Sequence, residues 1–466
     1  MNKVISQETF DDVVKENIVE FSMDSAEAKL ETIKQFEAQG IQLANIIKDL
    51  AINSETGQPL LNEAIDTLKA CFSEKSTDKD RLFEQLLVLN TECQKSIPHR
   101  ILAGKNGAHG ALISLLEQEL CDDKTQCDVK VLEKCLQAVN SLTCKQPDIF
   151  DPEALAIVMK LLDKKDDTII CLTLQWLQKA SVMHEENRQN IMKAGIIRKL
   201  KPLVKKDNDR VIRDVLAVLR YLVLDDDIRV EFGSAHEHAR QIAVEVIVDL
   251  TQLLGEYQDV VVLSDLLLTI GSLAVRQEFC TTIEEAGGLR LVLHIMSANP
   301  DSERLNCEAL KLLRALAGND AVKVHIIQQG AAPIIKDLLQ THMDNESLAT
   351  AALACISTVT LRVKDNSSAF FETGIAEIIV ETIRMHPKNK LIQRNGAWSI
   401  RNMVSRSREQ CDTWLSYGIE DLLNSAMSQH PSVLQDIKAA LRDLGCKVDL
   451  KEEWTGTAEK KILNKQ

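Results

Sequence analysis

Cys121, Cys127, Cys135 and Cys144 are the densest group of soft metal ligands in the chain, separated by five, seven and eight residues. Structural zinc sites set paired ligands roughly two to four residues apart, so this spacing predicts no zinc. Cys135 falls on the apolar stripe of VLEKCLQAVNSL, where a thiol packs as a small hydrophobe. His236-Glu237-His238 is the tightest histidine cluster, and within FGSAHEHAR it reads as a solvated polar loop. Gly104-Lys-Asn-Gly107-Ala-His-Gly110 neither follows a strand nor leads into Gly-Lys-Ser/Thr, so it predicts an inter-helix turn and no phosphate loop. Neither G-x-S-x-G nor H-E-x-x-H occurs, and no cysteine stands beside a His/Asn pair. The expectation is a chain without catalytic residues, metal or cofactor. The acidic runs Asp225-Asp226-Asp227 and Asp163-Lys-Lys-Asp166-Asp167 read as solvated turns.

What remains is recognition, and its residues sit on a repeated helical element. In NKLIQRNGAWSIRNMVSRSREQCDTWLSYG, residues 389–418, the apolar Ile392, Ala397, Ile400 and Met403 follow helical spacing. Trp398 and Asn402, four residues apart, share a different face. A short helix over 409–415 then stops at Gly418, and a third helix follows from Ile419. Glycines preceding such an apolar helix recur at Gly107, Gly195, Gly287, Gly330, Gly374 and Gly418, the last four spaced 43, 44 and 44 residues apart. The two longer gaps, 88 and 92 residues, each hold two units. A period in the 40s built only from helices is the mark of an α-solenoid.

Composition agrees. The hydrophobic fraction of 45% is that of an ordinary folded protein, and aromatics at 4% leave Leu, Ile, Val and Ala to pack helices closely. A formal charge of −14 argues against nucleic acid as a partner, since phosphate binding is driven by counterions displaced by Lys and Arg. The most apolar run, Val260 to Val275, is short for a membrane span and contains Asp265, so it predicts a buried helix. Twelve scattered cysteines and an acidic opening without a basic-then-apolar leader point to reduced thiols in the cytoplasm, with the nucleus as a second location.

The chain divides on this reading into an acidic helical segment (1–50), a helical cap or degenerate first repeat (51–99), a repeat array (100–447) and a polar tail (448–466). In the first segment Phe10, Val14, Ile18 and Phe21 form the expected stripe, and Asp24 with Glu27 a capping-box-like start. Residues 53–59 and 73–80 read as loops, and FGSAHEHAR as an insertion of about ten residues.

The glycine between helices, the small residue or proline after it (Ala332-Pro333, Leu200-Lys-Pro202) and GAWSIRN at 396–402 resemble the armadillo repeat family over roughly residues 100 to 447. SQETFDDVVKENIVEF and QFEAQGIQLANI are similar to one branch of that family. The resemblance implies an all-α, right-handed armadillo superhelix with an N-terminal helical cap, whose third helices line a concave groove that binds other proteins. Aligned on those helices, the Trp398 column reads Gln137, Ala217, Leu268, Lys311, Ala354, Trp398, Ala439, and the Asn402 column Ser141, Tyr221, Ser272, Ala315, Thr358, Asn402, Asp443. Importin-like relatives use a repeated Trp/Asn ladder, and only one rung is present here. One residue earlier the column reads Asn140, Arg220, Gly271, Arg314, Ser357, Arg401, Arg442. Two readings stand for these arginines: pairing between repeats, or bidentate capture of a partner's carboxylates. The expected function is a non-catalytic scaffold or adaptor. An extended, acidic partner segment is expected at Arg220, Lys311, Arg314, Trp398, Arg401, Asn402 and Arg442. A transport adaptor for basic cargo and an RNA-binding repeat protein are the alternatives.

Overall fold

Residues 4–49, 51, 58–74, 78–120 and 128–448 are described by a computed structural model, and the chain divides into two units, Met1–His238 and Ala239–Gln466. Cys121, Cys127, most of the 53–59 loop, part of the 73–80 connector and nearly all of the polar tail lie outside the described residues. Every extended element among the described residues is helical, as expected of an armadillo-type fold.

The first unit opens with the helices Gln7–Glu20 and Ser25–Ala38. Asp24 caps the second by accepting from the Ala26 and Glu27 N–H groups. Phe10 stacks on Phe36 with ring centroids 6.2 Å apart, closing a small core with Val14, Ala28 and Ile46. The predicted stripe is only half right. Phe10 and Val14 are buried, but Ile18 and Phe21 are exposed, and Asn17 takes the third inward place, donating to Thr32 Oγ1 at 2.8 Å. At 3.6 residues per turn, a residue seven on returns to within about 20° of Phe10, whereas one eight on is rotated by about 80°. The helices Lys79–Lys95, Val129–Thr143, Asp167–Ser181 and Asp209–Tyr221 then pack successively against one another.

In the second unit the corresponding series is Val260–Leu273, Glu303–Leu316, Glu346–Val359, Lys390–Val404 and Leu434–Leu444. Val260–Leu273 is the buried helix that its apolar run predicts. The repeat glycines Gly287, Gly330, Gly374 and Gly418 sit at φ of +84°, +89°, +78° and +77°. A side chain is strained there, so glycine is required where the chain turns into the next helix.

Seven of the nine helices in these two series, which we call the inner helices, begin alike. Asp78, Asp128, Asp166, Asn208, Asp259, Asn345 and Asn389 each accept first-turn N–H groups, satisfying donors that would otherwise be orphaned. The same Asn345 and Asn389 donate to Glu303 Oε2 and Glu346 Oε2 of the preceding inner helix, at 2.5 and 2.7 Å. Nε2 of His342, His386 and His430 lies 2.8, 2.7 and 2.8 Å from the carbonyl oxygens of Pro300, Met343 and Pro387 in the preceding repeat. A carbonyl only accepts, so each imidazole donates.

Residues 225–238 depart from the sequence-based expectation. Of Asp225-Asp226-Asp227, only Asp225 is exposed as a solvated turn would have it. Asp226 accepts from Met183 N–H (3.0 Å) and Arg188 Nη1 (2.6 Å), and Asp227 from Glu185 N–H (2.9 Å) and Arg229 Nε (2.8 Å). HEHAR is not looped out either; it opens the helix Ala235–Leu253, with His238 buried and its Nδ1 3.0 Å from Leu222 O. A polar sequence hides this because its partners lie some 40 residues earlier in the chain. The other acidic run is also engaged: Asp163 pairs with Lys199, Asp166 caps a helix and Asp167 pairs with Lys206.

The Arg229 guanidinium and the Glu185 N–H hold the Asp227 carboxyl well below the usual carboxylate range. Burial opposes ionisation of Glu185, yet hydrogen bonds from Gln189, Ser234 N–H and Arg188 together lower its pKa. A depressed folded-state pKa stabilises above the ordinary carboxylate value of about 4, and that stabilisation is lost as the pH falls through the folded value. Segment 225–234 is therefore expected to lose its amide protection, corrected for intrinsic exchange, between about pH 4 and pH 2. Equal protection at pH 2 and pH 7 would rule out these carboxylates as the anchor.

Candidate protein-binding face

The predicted recognition residues of the second unit lie on inner helices, and the column register, counted from the N-cap, holds in four of its five; in the closing helix Ala439 follows Val433 by only six. Trp398 stands nine residues after the N-cap Asn389, as Lys311 does after Ser302, Ala354 after Asn345 and Leu268 after Asp259. The first unit holds one further rung. Helix Asp167–Ser181 of the first unit, capped by Asp166, presents Gln175, Gln178 and Lys179 at the three column positions. Its repeat has no glycine, but the Asp-capped apolar run was the signal that could have found it. Lys179 Nζ donates to Asn140 Oδ1 at 2.8 Å, and burial lowers its pKa.

The residues differ in how free they are. Arg314 is exposed, with no ion pair among the described residues. Lys311, one turn earlier, is also exposed and pairs with Glu308 at 2.8 Å. Arg401 Nε lies 3.4 Å from Asp443 Oδ2, while Arg442 reaches Asp443 Oδ1 at 3.0 Å and Arg408 donates to Asp443 O. Arg401 thus serves the contact between the last repeats, whereas Arg442 pairs with its own sequence neighbour. Asn402 Nδ2 donates to Ser357 O at 2.7 Å, so its amide N–H links neighbouring helices. Trp398 is half-buried, and Arg394 lies over its ring at 4.7 Å from the centroid. Leu268 is half-buried. In the first unit, Arg220 lies half-buried in the last turn of Asp209–Tyr221 and does interact with a neighbour.

The described cysteines are free thiols. Cys135 is fully buried, as expected, and desolvation pushes its pKa up; the same cause pushes Cys93 and Cys355 up to about 12. A thiol held neutral is a poor nucleophile. Among the described residues no His/Cys/Asp/Glu group has metal-ligating geometry, and no helix is long and apolar enough to cross a membrane.

The ARMC6 family model matches residues 61–463, and the model of the armadillo repeat-containing protein 6 N-terminal domain matches residues 2–70. The chain belongs to the armadillo repeat-containing protein 6 family. It is 68% identical over 464 residues to the armadillo repeat-containing protein 6 homolog of Drosophila melanogaster, covering 99% of this chain and 100% of that one. Armadillo repeat-containing protein 6 of Homo sapiens is 38% identical over 475 residues, covering 98% of this chain and 93% of that protein. The crystal structure of an engineered protein matches with a TM-score of 0.70 at 17% identity, over 83% of this chain and 89% of the other, a likeness of fold alone. The armadillo repeat-containing protein 6 models together span the opening helices and the repeats that follow them.

Proposed function

We propose that this protein is a non-catalytic scaffold or adaptor that holds an extended, acidic segment of a partner protein. The face used is that of the inner helices in the second unit, centred on Lys311 and Arg314 with Trp398 two repeats on. The observation that carries the acidic choice is the Arg394–Trp398 stack, because the indole face is already taken by a cation from its own helix. A basic cargo side chain would meet Arg394 there, whereas a carboxylate is drawn to it. Arg314 adds an exposed guanidinium whose fork geometry suits a carboxylate. Arg401 acts by fixing the last repeats through Asp443, and Arg442 pairs with Asp443 within the closing helix. Arg220 holds the corresponding column position within the first unit.

The test is charge reversal where it does not disturb packing. Lys311→Glu with Arg314→Glu should reduce partner recovery in a pulldown at least about tenfold, which corresponds to about 1.4 kcal/mol. The circular dichroism melt should stay within a degree or two of the parent. Undiminished recovery by the folded double variant would remove this face from the function.

A further inference from the structure

Within the first unit, the opening helices enclose a crevice of about 740 Å³ against the first repeat. Helix Gln7–Glu20 turns Gln7, Phe10 and Val14 into it, spaced three and four apart on one face. The opposite wall is helix Ile97–Lys105, which presents Pro98, Ile101 and Lys105 with the same spacing. One end of the wall is fixed. Gln7 Oε1 accepts from Ile47 N–H at 2.7 Å, and its Nε2 donates to Ile47 O at 3.1 Å.

Two features select the ligand. First, Lys15, Lys29, Lys48 and Lys105 line the crevice against a single carboxylate, Asp11, in a chain of formal charge −14. Lys15 pairs with Asp12 at 3.6 Å, but Lys29, Lys48 and Lys105 enter no ion pair among the described residues. Second, the floor is narrow. Phe10, Val14 and Ile47 are only 1%, 8% and 7% exposed, so little of each can be reached from outside. A peptide helix docks by burying a broad apolar stripe, which so small an accessible area does not supply. A single file of methylene groups can lie along this floor, and the volume falls within the roughly 300–1,000 Å³ of small-molecule sites.

We propose that this crevice binds a long-chain carboxylate, with its methylenes along Phe10, Val14, Ile47 and Ile101 and its head group among Lys29, Lys48 and Lys105. The site is separate from the inner-helix face. The test is titration of the full chain with a fluorescent palmitate analogue, beside the methyl ester of the same probe. Saturable one-to-one binding is expected, with the ester at least about tenfold weaker. Lys48→Glu with Lys105→Glu should weaken the acid by a similar factor and leave the ester unchanged. Ile101→Glu, at an already half-exposed position, should weaken both. Absence of saturation, equal binding of acid and ester to the parent, or parental affinity in the folded lysine variant would each overturn the proposal. The acid–ester comparison on the parent decides it even if a variant misfolds.

Discussion

Arg188→Ala should destabilise the repeat that contains it by about 3–5 kcal/mol, the typical cost of leaving a buried charge without its partner. Arg188 and Glu185 have side chains only 1% and 2% exposed, joined through Nε and Oε2 at 3.0 Å. The guanidinium also donates to Asp226 at 2.6 Å and to Ser181 O at 2.8 Å. Truncation removes all of these at once, leaves the buried Glu185 without its counter-charge and loosens the 225–234 segment. The buried Trp176, in the adjacent helix Asp167–Ser181, reports on this region through its emission. Its denaturant midpoint should fall well below that of the parent. A loss under about 1 kcal/mol would mean that water already hydrates these charges, in conflict with their burial.

Gly288→Ala is the second large expected effect, about 1–3 kcal/mol, the range for overpacking a filled site. A Cβ built there would lie 2.6 Å from Ile283 Cγ2 and 2.7 Å from the Ile283 carbonyl oxygen, with Thr251 Cγ2 at 3.1 Å. Because one of the three is backbone, a rotamer change alone cannot relieve the contact. Gly271→Ala supplies the opposite sign, since a Cβ at this helical position meets nothing within 4 Å. It should gain about 0.5–1 kcal/mol from helix propensity alone. Differential scanning calorimetry should separate the two melting temperatures in opposite directions. A shift of the same sign and size in both would show that the close approach at Gly288 is not what holds its two helices together.

How much of this was legible in the sequence depends on how far apart the partners lie. The repeat is a local signal: glycine at positive φ, an apolar stripe and a period of about 44, all read within one unit. The N-caps were equally local and went unused beyond Asp24, although they mark the helix Asp167–Ser181 that a glycine-based alignment passes over. What sequence cannot weigh is pairing between units. Asp443 was in the Asn402 column from the start, yet nothing in its neighbours announces that Arg401, one repeat earlier, reaches it. Asp226 and Asp227 look solvated for the same reason, since Met183, Glu185 and Arg188 lie some 40 residues away. His238 looks like part of a ligand cluster until the carbonyl of Leu222 takes its Nδ1. Loop or helix, free or paired, is decided by the neighbouring turn of the stack.

The histidine and asparagine ties of the second unit have a consequence for how it comes apart. Each tie joins a repeat to the one just before it and to no other, so rupture of one removes support from a single neighbour. The closing helix Leu434–Leu444, whose neighbours among the described residues belong to the preceding repeat, is the natural place for a zipper to open. Peeling then travels inward rung by rung, and a bound polypeptide spanning two rungs would act as a clip that stops it.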